Sequence, residues 1–276
     1  MSSKSDTAPT GSEPVATTPP FCADDADLII RAEGPLDFRV NKCILSFVSP
    51  VFKRMFTISQ PPTDTPDVLP HVNVQDPPGV WENILRTIYP MPNPTIDNLD
   101  DLESLLLTAK KYEMQFVINS YIQHFENQVF IRENPLHLYA IACGNGLEEQ
   151  AKYVASHAEL STVMGQPNIS DFKSLTWDSY HRLLSFLARR DKEWNRTLAA
   201  AQIPNQRRCE CHLDAVFDSI KEDLGTPYLS TDEIYLKAME NSSKSCSGRF
   251  CATSEIKRFI NSMALRKDGL CRRAMW

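Results

Sequence analysis

The sequence predicts an α+β fold: a small mixed sheet covered by helices, followed by an all-helical region. Three observations carry that expectation. Within residues 25–56 the apolar period changes from that of strands to that of helices. A further strand-like run, Leu69, Val72 and Val74, returns before the next helices begin. Beyond residue 130 every apolar pattern has helical spacing.

In chain order, residues 27–32 hold Leu28, Ile29 and Ile30 and stop at Glu33-Gly34-Pro35. Residues 36–40 then alternate, with Leu36, Phe38 and Val40 on one face and Asp37 and Arg39 on the other. Two such runs around a short turn read as a β-hairpin. From Lys42 the spacing becomes helical through Ile44, Leu45 and Val48, then Phe52, Met55 and Phe56. Ser49 is placed to cap the second of these helices, with Pro50 at N1, where a missing N–H costs nothing. A proline-rich loop over 57–66 leads to the third strand, which Asp76-Pro77-Pro78 closes. Val80, Trp81, Ile84, Leu85 and Ile88 mark a helix ending at Tyr89-Pro90. After the connector with Pro90, Pro92 and Pro94, Asp97 or Asn98 can cap a helix lined by Leu99, Leu102, Leu105, Leu106 and Ala109. Met114, Val117, Ile118, Tyr121, Ile122 and Phe125 suggest one more.

This order resembles a BTB/POZ domain, a protein–protein interaction module, over residues 22–127. The segments that carry the resemblance are Asp27-Leu28-Ile29, Phe38-Arg39-Val40-Asn41-Lys42-Cys43-Ile44-Leu45, Ser49-Pro50-Val51-Phe52, Met55-Phe56 and Ile88-Tyr89. The continuation YPMPNPTIDNLDDLESLLLTAKKYEMQFVINSYI is similar to the large fungal branch of that family. One departure is Asn41, where family members usually carry His. Residues 131–276 resemble a BACK-like helical region. Leu136, Tyr139, Ala140 and Cys143, then Leu147, Ala151, Val154, Ala155 and Ala158, form an αα-hairpin about Gly144-Asn145-Gly146. Further helices are expected on Trp177, Tyr180, Leu184 and Leu187, on Val216, Phe217 and Ile220, and on Ile256, Phe259, Ile260 and Met263. Residues 1–21, rich in Ser, Thr and Pro, are expected to be a disordered tail.

Composition narrows the function classes. No run of 18 apolar residues exists, so a membrane span is not expected, and the N-terminal residues lack the apolar segment of a signal peptide. Eight cysteines without such a signal suggest reduced thiols and a cytoplasmic or nuclear protein. The sequons at Asn168, Asn195 and Asn241 carry no meaning in that setting. The net charge of −6 is uneven: residues 244–276 carry eight Lys/Arg against Glu255 and Asp268, leaving −12 for the remainder. Such an acidic body argues against direct nucleic-acid binding.

Catalytic patterns are missing. Gly144-Asn145-Gly146 lacks a third glycine and a preceding strand, and there is no P-loop, H-E-x-x-H or G-x-S-x-G. His137, His157 and His181 are expected on polar faces or core edges. No catalytic or cofactor-binding residue is assigned. Cys209, Cys211, Cys246 and Cys251 form the one metal-like set, since four thiolates can hold zinc. Their C-x-C and C-x4-C spacings are unlike the usual knuckle, so free thiols and no metal are expected.

Candidate partner-binding residues follow from the resemblance. In BTB domains that dimerise, residues matching Asp27 and Lys42 form a charged pocket near the dimer groove; the alternative is a capping Asp27 and a solvated Lys42. The helix over 42–47, with Ile44, is where such domains often pair. BTB adaptors of cullin-type ubiquitin ligases commonly present a hydrophobic-x-Glu triplet near Phe56, and this chain offers Ile58-Ser59-Gln60, in which Gln60 lacks the charge. The resemblance therefore implies a non-enzymatic, self-associating scaffold or co-regulator, and alternatively a cullin-ligase substrate adaptor.

Overall fold

The structure is a computed structural model and describes residues 20–33, 36–58, 69–92, 94–165, 174–201, 214–225, 231–245 and 253–273. The chain divides into two compact units, with the boundary between Asn127 and Gln128.

In the first unit, β1 (Leu28–Arg31) and β2 (Asp37–Val40) form an antiparallel pair, Leu28 opposite Val40 and Arg31 opposite Asp37. The short strand β3 (His71–Asn73) adds in parallel on the other side of β1, giving the order β2-β1-β3. The sheet is thus small and mixed, as the period change implies. Leu28, Ile30, Phe38 and Val40 face the core. Asp37 lies on the opposite register yet is also buried. Its cross-strand partner accounts for this: the Arg31 guanidinium donates to both carboxylate oxygens, Nε to Oδ1 at 2.8 Å and Nη2 to Oδ2 at 2.9 Å.

Helices α1 (Lys42–Val48) and α2 (Pro50–Thr57) follow β2, and α3 (Pro78–Ile88), α4 (Leu99–Lys111) and α5 (Gln115–Tyr121) follow β3. Ser49 caps α2 as expected, accepting from the Phe52 N–H at 3.2 Å, and Asn98 caps α4, accepting from Asp101 N–H at 2.8 Å. The Ser49 hydroxyl also donates to the Tyr112 carbonyl at 2.6 Å, which ties α2 to the turn after α4. At the centre Phe52 stacks on Tyr112, centroids 5.1 Å apart, and meets the Trp81 ring edge-on at 6.0 Å. The helix expected over Met114–Phe125 breaks after Tyr121 into a 3-10 segment, Ile122–Glu126. Tightening that last turn keeps both Tyr121 and Phe125 inside.

The second unit is helical: α6 (Gln128–Glu133), α7 (Pro135–Gly144), α8 (Glu148–His157), α9 (Leu160–Gly165), α10 (Trp177–Ala200), α11 (Asp214–Gly225), α12 (Thr231–Ser245) and α13 (Thr253–Arg273). Between α7 and α8, Gly146 has φ +72°, a backbone that glycine adopts at low cost, and Leu147 N–H returns to Ala142 O at 2.9 Å. The α7 stripe read from sequence is too narrow, because every residue from Pro135 to Ala142 is buried, His137 included. On α10 the stripe read from sequence is displaced at its start: Leu187 is buried and Tyr180 and Leu184 are half-buried, but Trp177 is 78% exposed, and Leu183, Phe186, Trp194 and Leu198 complete the buried side. The first half of this helix is apolar on two sides, and spacing alone cannot tell which side finds a partner. Arg190 fixes the choice by donating to the last carbonyls of α8, including Ala158 O at 2.8 Å. A second core gathers Trp194 and Leu198 with Val216, Phe217, Ile220, Ile234, Ala238, Ile256, Phe259, Ile260 and Met263.

Candidate interaction surface

The surface around α1 is built from the end of the hairpin. Asp27, just before β1, accepts a hydrogen bond from the backbone N–H of Lys42 at 2.7 Å. An acidic side chain on the first free N–H of a helix satisfies an orphan donor and opposes the helix dipole. Asp27 therefore meets Lys42 through the main chain. Asn41 is anchored three ways: its N–H donates to the Tyr89 hydroxyl at 3.0 Å, that hydroxyl donates to Asn41 Oδ1 at 3.2 Å, and Nδ2 donates to Asp25 O at 3.3 Å. Burial, with lesser contributions from Asp27 and Asp25, raises the Tyr89 pKa, so the phenol stays protonated as a donor.

With its start held, α1 presents two different sides. Leu45 is fully buried and Ile44 and Val48 are half-buried on the inner side. Cys43 and Phe47, one turn apart on the other side, are exposed, and Phe47 is 90% exposed. Ile44, the residue chosen from sequence, is thus a border residue, and the apolar group that faces outward is Phe47. Its register opposite Leu45 is the signal that would have found it.

Phe56, half-buried at the end of α2, packs its ring 5.8 Å from Phe52. Ile58 is 69% exposed, and its N–H closes the helix on Met55 O at 3.4 Å. Gln60 lies outside the described residues, so the second half of the triplet is not placed. Beside this helix end Arg54 pairs with Glu113 at 2.9 Å, and Glu113 holds a left-handed φ of +53° in the turn between α4 and α5. Cys209, Cys211, Cys246 and Cys251 also lie outside the described residues, and among those described Cys22, Cys43 and Cys143 are free thiols. Of the histidines singled out, His137 is inside α7, while His157 stacks on Tyr153 at 4.2 Å and His181 is exposed.

No helix among the described residues is long and apolar enough to cross a membrane. The family model for the BTB/POZ domain matches residues 21–129. No curated protein matches the chain. The BTB/POZ domain is a non-catalytic protein–protein interaction domain whose members commonly self-associate and bind partners. The mixed three-stranded sheet, the capped α1–α2 pair and the matched span agree: the chain carries a BTB/POZ domain at residues 21–129, followed by a helical C-terminal region.

Proposed function

We propose that the protein is a self-associating scaffold or co-regulator whose BTB/POZ domain pairs with a second copy through α1. The observation that carries this reading is Phe47, a large apolar side chain that is 90% exposed on a helix whose start is fixed by Asp27 and Asn41. A two-fold axis near α1 would use the same patch from both copies, with Phe47 as the anchor and Asp27 and Lys42 at the rim. The parts assigned to 22–127 and 131–276 would divide the labour, the first for pairing and the second for partners, in a cytoplasmic or nuclear setting where the thiols stay reduced.

Sedimentation of the full chain at tens of micromolar should show a dimer. Phe47→Asp should weaken it more than a hundredfold, since removing a buried Phe from each of two copies costs about 3 kcal/mol or more in total. Because Phe47 is solvated in one copy, the variant should melt like the parent. A parent that is strictly monomeric, or a dimer indifferent to Phe47→Asp, refutes the reading.

A second reading, substrate adaptor for a cullin-family ubiquitin ligase, is favoured by one observation: Ile58 stands 69% exposed immediately after α2, where the adaptor triplet would begin. Gln60 in place of the acid weighs against it. A binding assay with a cullin N-terminal domain separates the two, and tight binding lost on Ile58→Asp would promote the adaptor.

A further inference from the structure

We propose that Tyr89 is a positioning residue for self-association: its hydroxyl fixes the start of α1 and so the direction in which Phe47 leaves the domain. This role presupposes pairing through α1.

Helix α1 is poorly able to aim itself. It has seven residues, too few to hold a direction through its own hydrogen bonds. Of these described residues Leu45 alone is buried, with Ile44 and Val48 half-buried beside it. Asparagine is a strong N-cap, yet the Asn41 side chain does not cap α1. Its Oδ1 accepts from the Tyr89 hydroxyl at 3.2 Å, and the same hydroxyl accepts from the Asn41 N–H at 3.0 Å. Asp27 supplies the cap in its place, on the Lys42 N–H. The side chain best suited to stabilise the helix locally is thus spent on an element 48 positions along the chain.

Tyr89 is itself held from two sides. Its N–H closes α3 on Leu85 O at 3.0 Å, and its ring meets Phe21 edge-on at 5.7 Å. Phe21 in turn meets Phe38 of β2 edge-on at 5.9 Å, and its carbonyl accepts from the Arg39 N–H at 3.1 Å. The phenol is a post standing on α3 and β2, and its oxygen is where both reach the start of α1. Phe47 lies six residues beyond Asn41, about 9 Å along the axis, so a tilt of about 10° at Asn41 displaces it by about 1.5 Å. An offset of that size forfeits much of the contact energy of a closely packed interface.

The test is the dimer Kd of the full chain, measured by sedimentation. Tyr89→Phe keeps the ring on Phe21 and removes the hydroxyl. It should raise the Kd about tenfold, the effect of lowering the pairing direction to about a third of the population in each copy. Thr87→Val is the control. Two residues earlier in α3 it deletes a buried hydroxyl that bonds the Tyr121 hydroxyl at 2.9 Å, so it destabilises the same unit without touching the Asn41 contact. Its Kd should stay within about threefold of the parent. Circular dichroism melts verify that every variant is folded at the assay temperature. If Phe47→Asp breaks the dimer while Tyr89→Phe changes the Kd less than about threefold, pairing through α1 stands and the role of Tyr89 is overturned. That role is likewise overturned if Thr87→Val weakens the dimer as much as Tyr89→Phe. A monomeric parent, or a dimer indifferent to Phe47→Asp, overturns both.

Discussion

Ser49→Ala is the change that most directly tests how the first unit is held together. The side chain is fully buried and makes two hydrogen bonds with one oxygen: it accepts from Phe52 N–H at 3.2 Å and donates to Tyr112 O at 2.6 Å. Alanine removes both and leaves water no access to the groups left behind. Loss of an N-cap costs about 1 kcal/mol. An unsatisfied buried carbonyl adds about 1–3 kcal/mol. The sum, about 2–4 kcal/mol, is a large share of the roughly 5–15 kcal/mol that holds a domain folded. Asn98→Ala provides the reference, because Asn98 caps α4 at an exposed position and its side chain bonds, among the described residues, only to nearby Asp101. Urea unfolding followed by far-UV circular dichroism should place Asn98→Ala about 1 kcal/mol below the parent. Ser49→Ala should fall at least about 1 kcal/mol lower still. Equal costs for the two would mean that the bond from Ser49 to the Tyr112 carbonyl contributes nothing, and the account of α2 docking would fail.

Trp81 is fully buried, and its indole N–H has no acceptor among the described residues; Trp81→Phe deletes that orphan along with some volume, so it should cost less than about 1.5 kcal/mol by chemical denaturation, against the roughly 3–5 kcal/mol typical of emptying such a site. Burial first, and the Asp76 carboxylate second, raise the Tyr112 pKa, and burial likewise raises that of Tyr121. The neutral phenols are therefore the folded forms: their contribution is complete below the unfolded pKa near 10, and it declines as pH climbs from there toward the folded value, by roughly 1.4 kcal/mol per pH unit for each tyrosine. Stability measured between pH 8 and about 11 should bend downward above about 10, and less steeply in Tyr112→Phe; a flat profile would contradict the burial assigned to these rings. Elemental analysis of the purified chain should give less than one zinc per molecule with a melt unaffected by EDTA, whereas stoichiometric zinc lost on Cys209→Ser or Cys246→Ser would show a metal centre.

Much of the first unit was legible because its signals are local. The alternation of Leu36, Phe38 and Val40, the Ser49-Pro50 start and the Leu99 to Ala109 stripe each depend on a few neighbouring residues, and all three have counterparts in the structure. What escaped the sequence depends on distant partners. Asp37 reads as a solvent-facing residue until Arg31 is placed across from it. The buried side of α10 is decided by α8, whose terminal carbonyls Arg190 reaches, and not by the periodicity of α10. Helix α12 has no counterpart among the expected helices, although Asp232 and Glu233 in its first turn and Ile234 and Ala238 one turn apart inside are signals of one. At the surface, the pairing helix was legible but its outward residue was not, since telling Phe47 from Ile44 requires knowing that Leu45 points inward.

The two pairings of β1 differ in how soon they can form. Arg31 and Asp37 are six positions apart in sequence, whereas Ile29 and His71 are 42 apart. Closing the longer loop costs about 1.7 kcal/mol more in chain entropy, and β3 offers only three residues to offset it. Time therefore orders the sheet: the hairpin can appear in microseconds, and β3 joins after the helices between have collapsed onto it. During that interval the free edge of β1 is open to strands from other chains. A nascent population of this protein is at its most aggregation-prone before residue 71 arrives, and slowing synthesis or raising concentration at that stage would tax its yield more than any change to the finished surface.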